Sequence, residues 1–541
     1  RRQRQMCIRD RFYWSAAFSH GRTEGEQWAW VPYTQHMTNA LDAVRDGAGQ
    51  IVCAINADAD QANDDPACAP LNPFGVGKAS DAARAYVSAP TGVSYLNIHD
   101  DFLASVGGDL VRLPGGTAQF SLAYEHRRES ARSTPFEADQ MGLLFSGART
   151  QPSRGAYQTD EYSGELLVPI LGGAFAPKGV ERLELTGSYR LVEERLSGRE
   201  TVWGWGARLK TTFGLGLRAS RSRNFRSPTL DQRFAPTSVS MTFIGADPCD
   251  ADRINSGPNP ATRLANCQRE FAANPGYGPL ATFQDPAENT SISAVTQRGN
   301  PDLRNEASHT TTWGLVFQPT YIPGLTLSAD RVEIDLADGL SSFSPANYLA
   351  TCYDNAPQPT SACSTFTRDA VGTVNTATQS TFNAGVLQYR GEVYNVSYRF
   401  PLGALWDRDL GSLELAGEAT HTTRYLTSVI GQDVTHSEGT ASAPSWRLRL
   451  DARYARGPLR VTWSVYHLPS SKSAYNDTIE TTPYPVLAAN TQHSVSGSYD
   501  FGRLTLRGGV TNLTDREPSF PLRSYGDIIG RRWFLGLRAR F

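Results

Sequence analysis

Nine histidines, seven cysteines and one dense run of carboxylates are the residues of this chain with chemistry to offer. The histidines (His20, His36, His99, His126, His309, His421, His436, His467 and His493) are scattered. No two of them have the helical spacing that would set two imidazoles on one metal ion. The run ADADQANDD (57–65) places carboxylates at alternate positions, an arrangement in which several oxygens can share one calcium ion. A solvated polar loop has the same composition and is the expectation here. GVGKAS (75–80) holds the Gly-Lys of a phosphate loop without its preceding strand or its full spacing. No GxSxG elbow occurs. The expectation is a protein that is not an enzyme, with no catalytic residue, no cofactor and no metal ligand.

The cysteines say more. Cys53 and Cys68, Cys249 and Cys267, and Cys352 and Cys363 form three local pairs, each in a segment rich in Asn, Asp, Pro and Ala. Zinc would want tighter spacing with histidines nearby. Disulfides that pin surface loops in an oxidising compartment fit better, and those three bonds are expected. Cys7 stands alone within RRQRQMCIRDR (1–11), a basic stretch with no period and no apolar segment after it. It reads as a non-native or artefactual leader, with the patterned chain running over 12–541.

The elements that must position these residues are strands. Of 541 residues, 40% are hydrophobic and 20% charged, with 48 glycines and 32 prolines, a composition for β-structure with many turns. A formal net charge of -2 gives no reason to expect a nucleic-acid partner. Nowhere do about 20 apolar residues run together as a membrane helix requires. From Phe12 the chain alternates with period two. Trp446, Leu448, Leu450, Ala452 and Tyr454 share one face while Arg447, Arg449, Asp451 and Arg453 share the other. Leu183, Leu185 and Tyr189 oppose Glu184, Thr186 and Arg190, and Leu413 and Leu415 oppose Glu414. Runs of about ten residues with one apolar and one charged face are what a tilted membrane strand with a polar lumen shows. Arg447, Arg449, Arg453, Glu184 and Glu414 should then face that lumen.

The links alternate too. Short ones (113–116, 171–180, 211–212, 319–324, 401–411, 456–458, 501–503) separate long ones (28–94, 134–155, 227–306, 342–384, 427–443, 469–491, 514–530), with 198–201 the one short member of the long series. All three cysteine pairs fall in long links. The expected fold is all-β: a transmembrane antiparallel up-and-down β-barrel of about 16 strands, with short periplasmic turns and long extracellular loops. The stretch 34–46 should add a loop helix.

Three stretches carry a family resemblance. LGLRASRSRNFRSPTLDQRF (215–234) resembles a strand followed by FRxP and a loop. GNPDLRNEASHTTTWGLVFQP (299–319) is similar to a GNPxLxxE stretch entering a strand, and GVTNLTDREPSF (509–520) with GRRWFLGLRARF (530–541) resembles a terminal NL-D-x-x-P…GR hairpin. In that order they resemble the barrel domain of TonB-dependent outer-membrane receptors. The motif positions are Phe225, Arg226 and Pro228; Gly299, Asn300, Pro301, Leu303 and Glu306; Asn512, Leu513, Asp515, Pro518, Gly530, Arg531 and Phe541. Their expected role is structural, with Arg531 and Arg532 free to face lipopolysaccharide phosphates. The resemblance implies an importer in the outer membrane of a Gram-negative bacterium, driven by the TonB–ExbB–ExbD complex and folded by the outer-membrane assembly machinery. Its cargo would be a ferric siderophore, cobalamin or an oligosaccharide, the first being favoured. The family's barrel has about 22 strands around a plug, and neither plug nor TonB box is found here. The sheet is therefore expected to be open or forced into a smaller barrel, and the chain alone not to transport. A passive porin and a glycan-binding β-protein are the alternative readings.

Overall fold

The computed structural model describes residues 2–8, 11–145, 147–242, 247–257, 259–286, 293–342, 344–358, 360–403, 408–428 and 434–540; Phe541, the last motif position, lies outside them. One antiparallel sheet carries the architecture. Its strands are β1 (Arg2–Ile8), β2 (Phe12–Pro32), β3 (Ser88–Leu113), β4 (Gly116–Pro135), β5 (Ser153–Gly172), β6 (Val180–Glu194), β7 (Gly198–Thr211) and β8 (Leu215–Arg226). It continues through β9 (Glu306–Phe317), β10 (Leu325–Ser342), β11 (Thr381–Pro401), β12 (Ser412–Ser428), β13 (Trp446–Arg456), β14 (Leu459–Leu468), β15 (Asn490–Asp500), β16 (Leu504–Thr511) and β17 (Arg532–Ala539). Each pairs antiparallel with the next.

A meander of this kind puts successive links at opposite ends. The short links therefore share one end and the long ones, with all three cysteine pairs, share the other. The tightest short link, between β13 and β14, turns on Gly457 at φ 52°, a left-handed conformation that costs other residues more. The helix expected over 34–46 forms over Thr34–Leu41.

Two features of the sheet's ends differ from a closed cylinder. Among the described residues β17 pairs only with β16 and β1 only with β2, so no ladder joins the ends. The second feature lies within residues 1–11, the stretch that reads as a non-native or artefactual leader. Arg2–Ile8 lies in register against Phe12–Phe18. Pairing of this kind uses backbone groups alone, so an unpatterned segment can cover the edge of β2.

Alternation sorts the two faces. Trp313 is 58% exposed, and Trp533, Leu535 and Leu537 are 75%, 80% and 66% exposed, all on the face opposite Arg449, Arg453 and Glu414. Apolar exposure on that scale suits lipid rather than water. On the other face Arg453 bonds Glu414 at 2.7 Å and Asp451 at 2.9 Å, Arg449 lies 3.5 Å from Asp451, and Glu184 lies 2.7 Å from Arg182. Arg447 donates to the Ser442 carbonyl at 3.0 Å. Four of these five lumen charges have a partner on their own wall, and Arg447 reaches into the adjoining link.

The long-link end carries a lobe of its own. Strands Arg149–Thr150, Ser238–Thr242, Ser293–Gln297, Val374–Gln379 and Phe366–Arg368 make a five-stranded sheet drawn from three different links. Helices Pro260–Ala273 and Pro345–Asp354 pack on it around Phe271, Phe283, Val295, Leu349 and Tyr353. Cys249–Cys267 (2.04 Å) and Cys352–Cys363 lock this core, and Cys53–Cys68 (2.04 Å) closes a separate loop. Changing Cys249 and Cys267 together to serine should lower the lobe's stability by about 3 kcal/mol, read as its denaturant midpoint, with the sheet's own transition unmoved.

Candidate functional site at the capped end of the sheet

The first two motifs meet where the long links begin. β8 ends at Arg226 because Pro228, buried, has no donor for a further ladder. The chain then turns into the short helix Leu230–Phe234, capped by Thr229 and Gln232, and lies back over β5. Phe234 fits against Gly155, where a Cβ would stand 2.1 Å from the ring. In this helix Arg233 is 1% exposed and donates to Glu194 at 2.9 Å, to Ser197, and to the Leu303 carbonyl at 3.4 Å. Leu303 itself is buried.

The second motif closes on the first. A Cβ at Gly299 would sit 2.5 Å from the Arg233 carbonyl, so the two segments touch backbone to backbone. Asn300 donates from its backbone to Gln232 O at 2.9 Å and from its side chain to Thr381 O at 3.0 Å. Its Oδ1 accepts from Asp302 N at 3.0 Å, the turn expected at Asn300-Pro301-Asp302. Arg226 then pairs with Glu306, whose other oxygen accepts from Leu340 N at 2.8 Å. One knot thus ties β8, β9, β10 and β11 at the mouth. Beside it Phe225 and Ser227 border a niche of about 300 Å³ in the charged wall, lined by Arg127, Thr159, Glu161 and Arg190. Glu161 bridges Arg127 (3.1 Å) and Arg190 (3.0 Å).

The third motif shapes the last long link. Asn512, buried at φ 50°, accepts from Arg516 N at 2.8 Å and donates back to Arg516 O at 2.9 Å. Leu513 N donates to His493 O at 2.6 Å. Asp515 accepts from Arg531 N at 2.8 Å, and Gly530 sits against it. Pro518 packs on Gly526. Arg531 lies 3.7 Å from Asp515 and Arg532 2.9 Å from Asp527, so both guanidiniums are held by carboxylates of their own loop.

Several buried charges escaped the sequence. Arg368, 1% exposed, is bidentate to Asp247, 2% exposed, and donates to the Tyr353 hydroxyl at 3.1 Å. Burial pushes the Tyr353 phenol above its ordinary pKa, so it stays protonated and donates to Glu270. Arg263 is bidentate to Asp354 at 2.6 Å through both contacts. The lobe is thus stapled by paired charges as well as sulfur.

The remaining candidates are structural. In the acidic run Asp58, Asp60 and Asp65 each accept from a backbone N–H two residues on, at 2.8–3.0 Å. Among the described residues no group of three His, Cys, Asp or Glu side chains is arranged to hold a metal. In GVGKAS, Ser80 caps the helix Asp81–Val87. Tyr33, His36 and Tyr86 stack at 4.2 and 4.3 Å between centroids. The Tyr86 hydroxyl donates to Asp65 at 2.5 Å and holds that carboxyl below its ordinary pKa. A depressed carboxylate pKa stabilises the fold above the unfolded value and is lost as pH falls through the folded one. Acidification below about pH 4 should therefore loosen the 33–87 loop, seen as faster amide exchange at Tyr86. In Asp65→Asn that acid step should vanish.

With this geometry in view, the likenesses are plain. Residues 9–513 match the family described as TonB dependent receptor-like, beta-barrel. No curated protein sequence matches. Among solved structures, the ferric enterobactin receptor PfeA of Pseudomonas aeruginosa, in complex with enterobactin, superposes with a TM-score of 0.56 at 13% identity. The alignment covers 97% of this chain and 60% of that one. The siderophore receptor PirA of Acinetobacter baumannii gives 0.56 at 12% identity, over 99% of this chain and 61% of that one. At such identities the likeness is one of fold, and the chain spans about three-fifths of those receptors' length. The family match, over most of the chain, agrees with the meander, the one-sided long links and the three motifs in their order: the chain belongs to the TonB-dependent receptor family, as its β-barrel domain.

Proposed function

We propose that this chain forms the barrel wall of an outer-membrane receptor that imports a ferric siderophore with energy delivered through TonB. The observation that carries the reading is the asymmetry of the sheet. One end has tight turns, and the other builds a disulfide-locked lobe above a charged inner wall. Extracellular capture and a polar passage need those two parts. The neighbours' cargo supports the choice of ligand, since both are siderophore receptors by name. The partners of this reading are the TonB–ExbB–ExbD complex, the assembly machinery that inserts the barrel, and the lipopolysaccharide around it. The test is growth of a host deleted for the gene, with a ferric siderophore as sole iron source. Lost growth, restored by the gene, is expected. Expression that follows a sugar and ignores iron would count against an iron cargo.

A further inference from the structure

Outward side chains of neighbouring strands line up in rows, and three rows meet on the face made by β9 to β13. The row nearest the long-link end is Trp313, Arg331, Glu392, His421 and Trp446, each the register partner of the next. Below it run Ala329, Tyr394, Ala419 and Leu448, then Leu327, Val396, Gly417 and Leu450. The alternation that puts Leu448 and Leu450 outward puts Arg331, Glu392 and His421 outward as well.

The lower two rows are recessed. Ala329, Ala419 and Gly417 leave a floor of methyl groups and backbone, while Leu327, Tyr394, Val396, Leu448 and Leu450 stand around it. The hollow, open on its outer side, holds about 610 Å³, within the range of ligand sites. The top row is tied together. Glu392 accepts from Arg331 and bonds His421 Nδ1 at 2.9 Å, and Arg331 also donates to Thr423 Oγ1 at 3.0 Å. His421 stacks on Trp446 at 4.2 Å and 11°, and Trp446 stacks on Tyr394 at 5.9 Å. A polar shelf edged by two tryptophans, directly above an apolar hollow, has the order of a membrane interface.

We propose that this is a binding site for one membrane lipid, resting on the outer-membrane reading above. An acyl chain of the leaflet on the long-link side lies in the hollow, and its headgroup hydrogen-bonds the Arg331–Glu392–His421 shelf. Transfer of a chain from bilayer to groove gains no hydrophobic energy, so retention comes from close packing and from hydrogen bonds at low dielectric. Arg331 also lies 3.3 Å from Glu333, which with Arg390 at 3.7 Å extends the shelf away from the hollow, so guanidiniums and carboxylates stand side by side and the shelf favours a headgroup that both donates and accepts.

The probe is a phosphatidylethanolamine, whose ammonium donates and whose phosphate accepts, with a diazirine in its acyl chain, incorporated into outer-membrane vesicles carrying the full chain and photolysed. Peptides holding Tyr394–Val396 and Leu448–Leu450 should be labelled several-fold above the rest of the apolar belt. Ala419→Leu, which fills the hollow, should erase that excess and leave the rest of the belt labelled. Ala104→Leu, on an outward face elsewhere, should change nothing. Even labelling around the belt, or an excess that survives Ala419→Leu, would overturn the site. A belt with no label at all would overturn the membrane placement beneath it. Loss of iron uptake with the label intact would count against the import reading alone.

Discussion

Arg368→Met will unfold the disulfide-locked lobe while the sheet stays folded. Asp247, 2% exposed, receives its paired charge from Arg368, and Tyr353 and Glu270 are held by the same guanidinium. Removing one member of a buried pair leaves the other desolvated and uncompensated, a cost of about 3–5 kcal/mol. A lobe of this size has a total stability of the same order. Hydrogen exchange should therefore show helices Pro260–Ala273 and Pro345–Asp354 losing protection, with β9 to β11 unchanged. Adding Asp247→Leu to the Arg368→Met variant should recover much of the loss, because two apolar groups then fill the site. A single variant as stable as the parent would mean the pair is open to water.

Arg233→Met acts through the same physics at the root of the long links. Glu194 would be left buried without its cation, and the carbonyl of Leu303 would lose a donor. The expected cost is again about 3–5 kcal/mol. Its signature differs, because the knot joins the 215–234 and 299–319 stretches. Protection should fall at Gln232, Asn300 and the first residues of β9, and protease should cut near Pro301 before it cuts the disulfide-locked lobe. Cleavage first within the lobe would place the weak point elsewhere.

How much of this was readable beforehand varies with the element. Period two marked the wall from Phe12 onward, because a strand between lipid and a polar lumen must alternate along its length. The count of sixteen from Phe12 onward and the placement of the cysteine pairs on one end followed from that alone. Arg453 and Glu414 were legible as lumen residues for the same reason. Arg331, Glu392 and His421 were not. They sit outward above the apolar belt, where lipid gives way to headgroups and polar residues are allowed on both faces. Arg233, Arg368 and Asp247 were hidden differently. They lie in links with no period, and pairs such as Asp247 with Arg368, 121 residues apart, are made only when separate loops fold together. The motifs were visible as strings, and their knotting at Gly299 and Arg233 was not. The pairing of Arg2–Ile8 could not be read at all, since backbone edges leave no mark in side-chain pattern.

On the proposed function the protein moves a ferric chelate only when energised. Radiolabelled iron bound to a siderophore, offered to intact cells with and without the gene, tests it most directly. Gene-dependent accumulation that falls to the level of the deletion strain when TonB is removed or the proton gradient is collapsed is the predicted result. Accumulation that persists without TonB, in proportion to outside concentration, would make this sheet part of a passive pore and contradict the account.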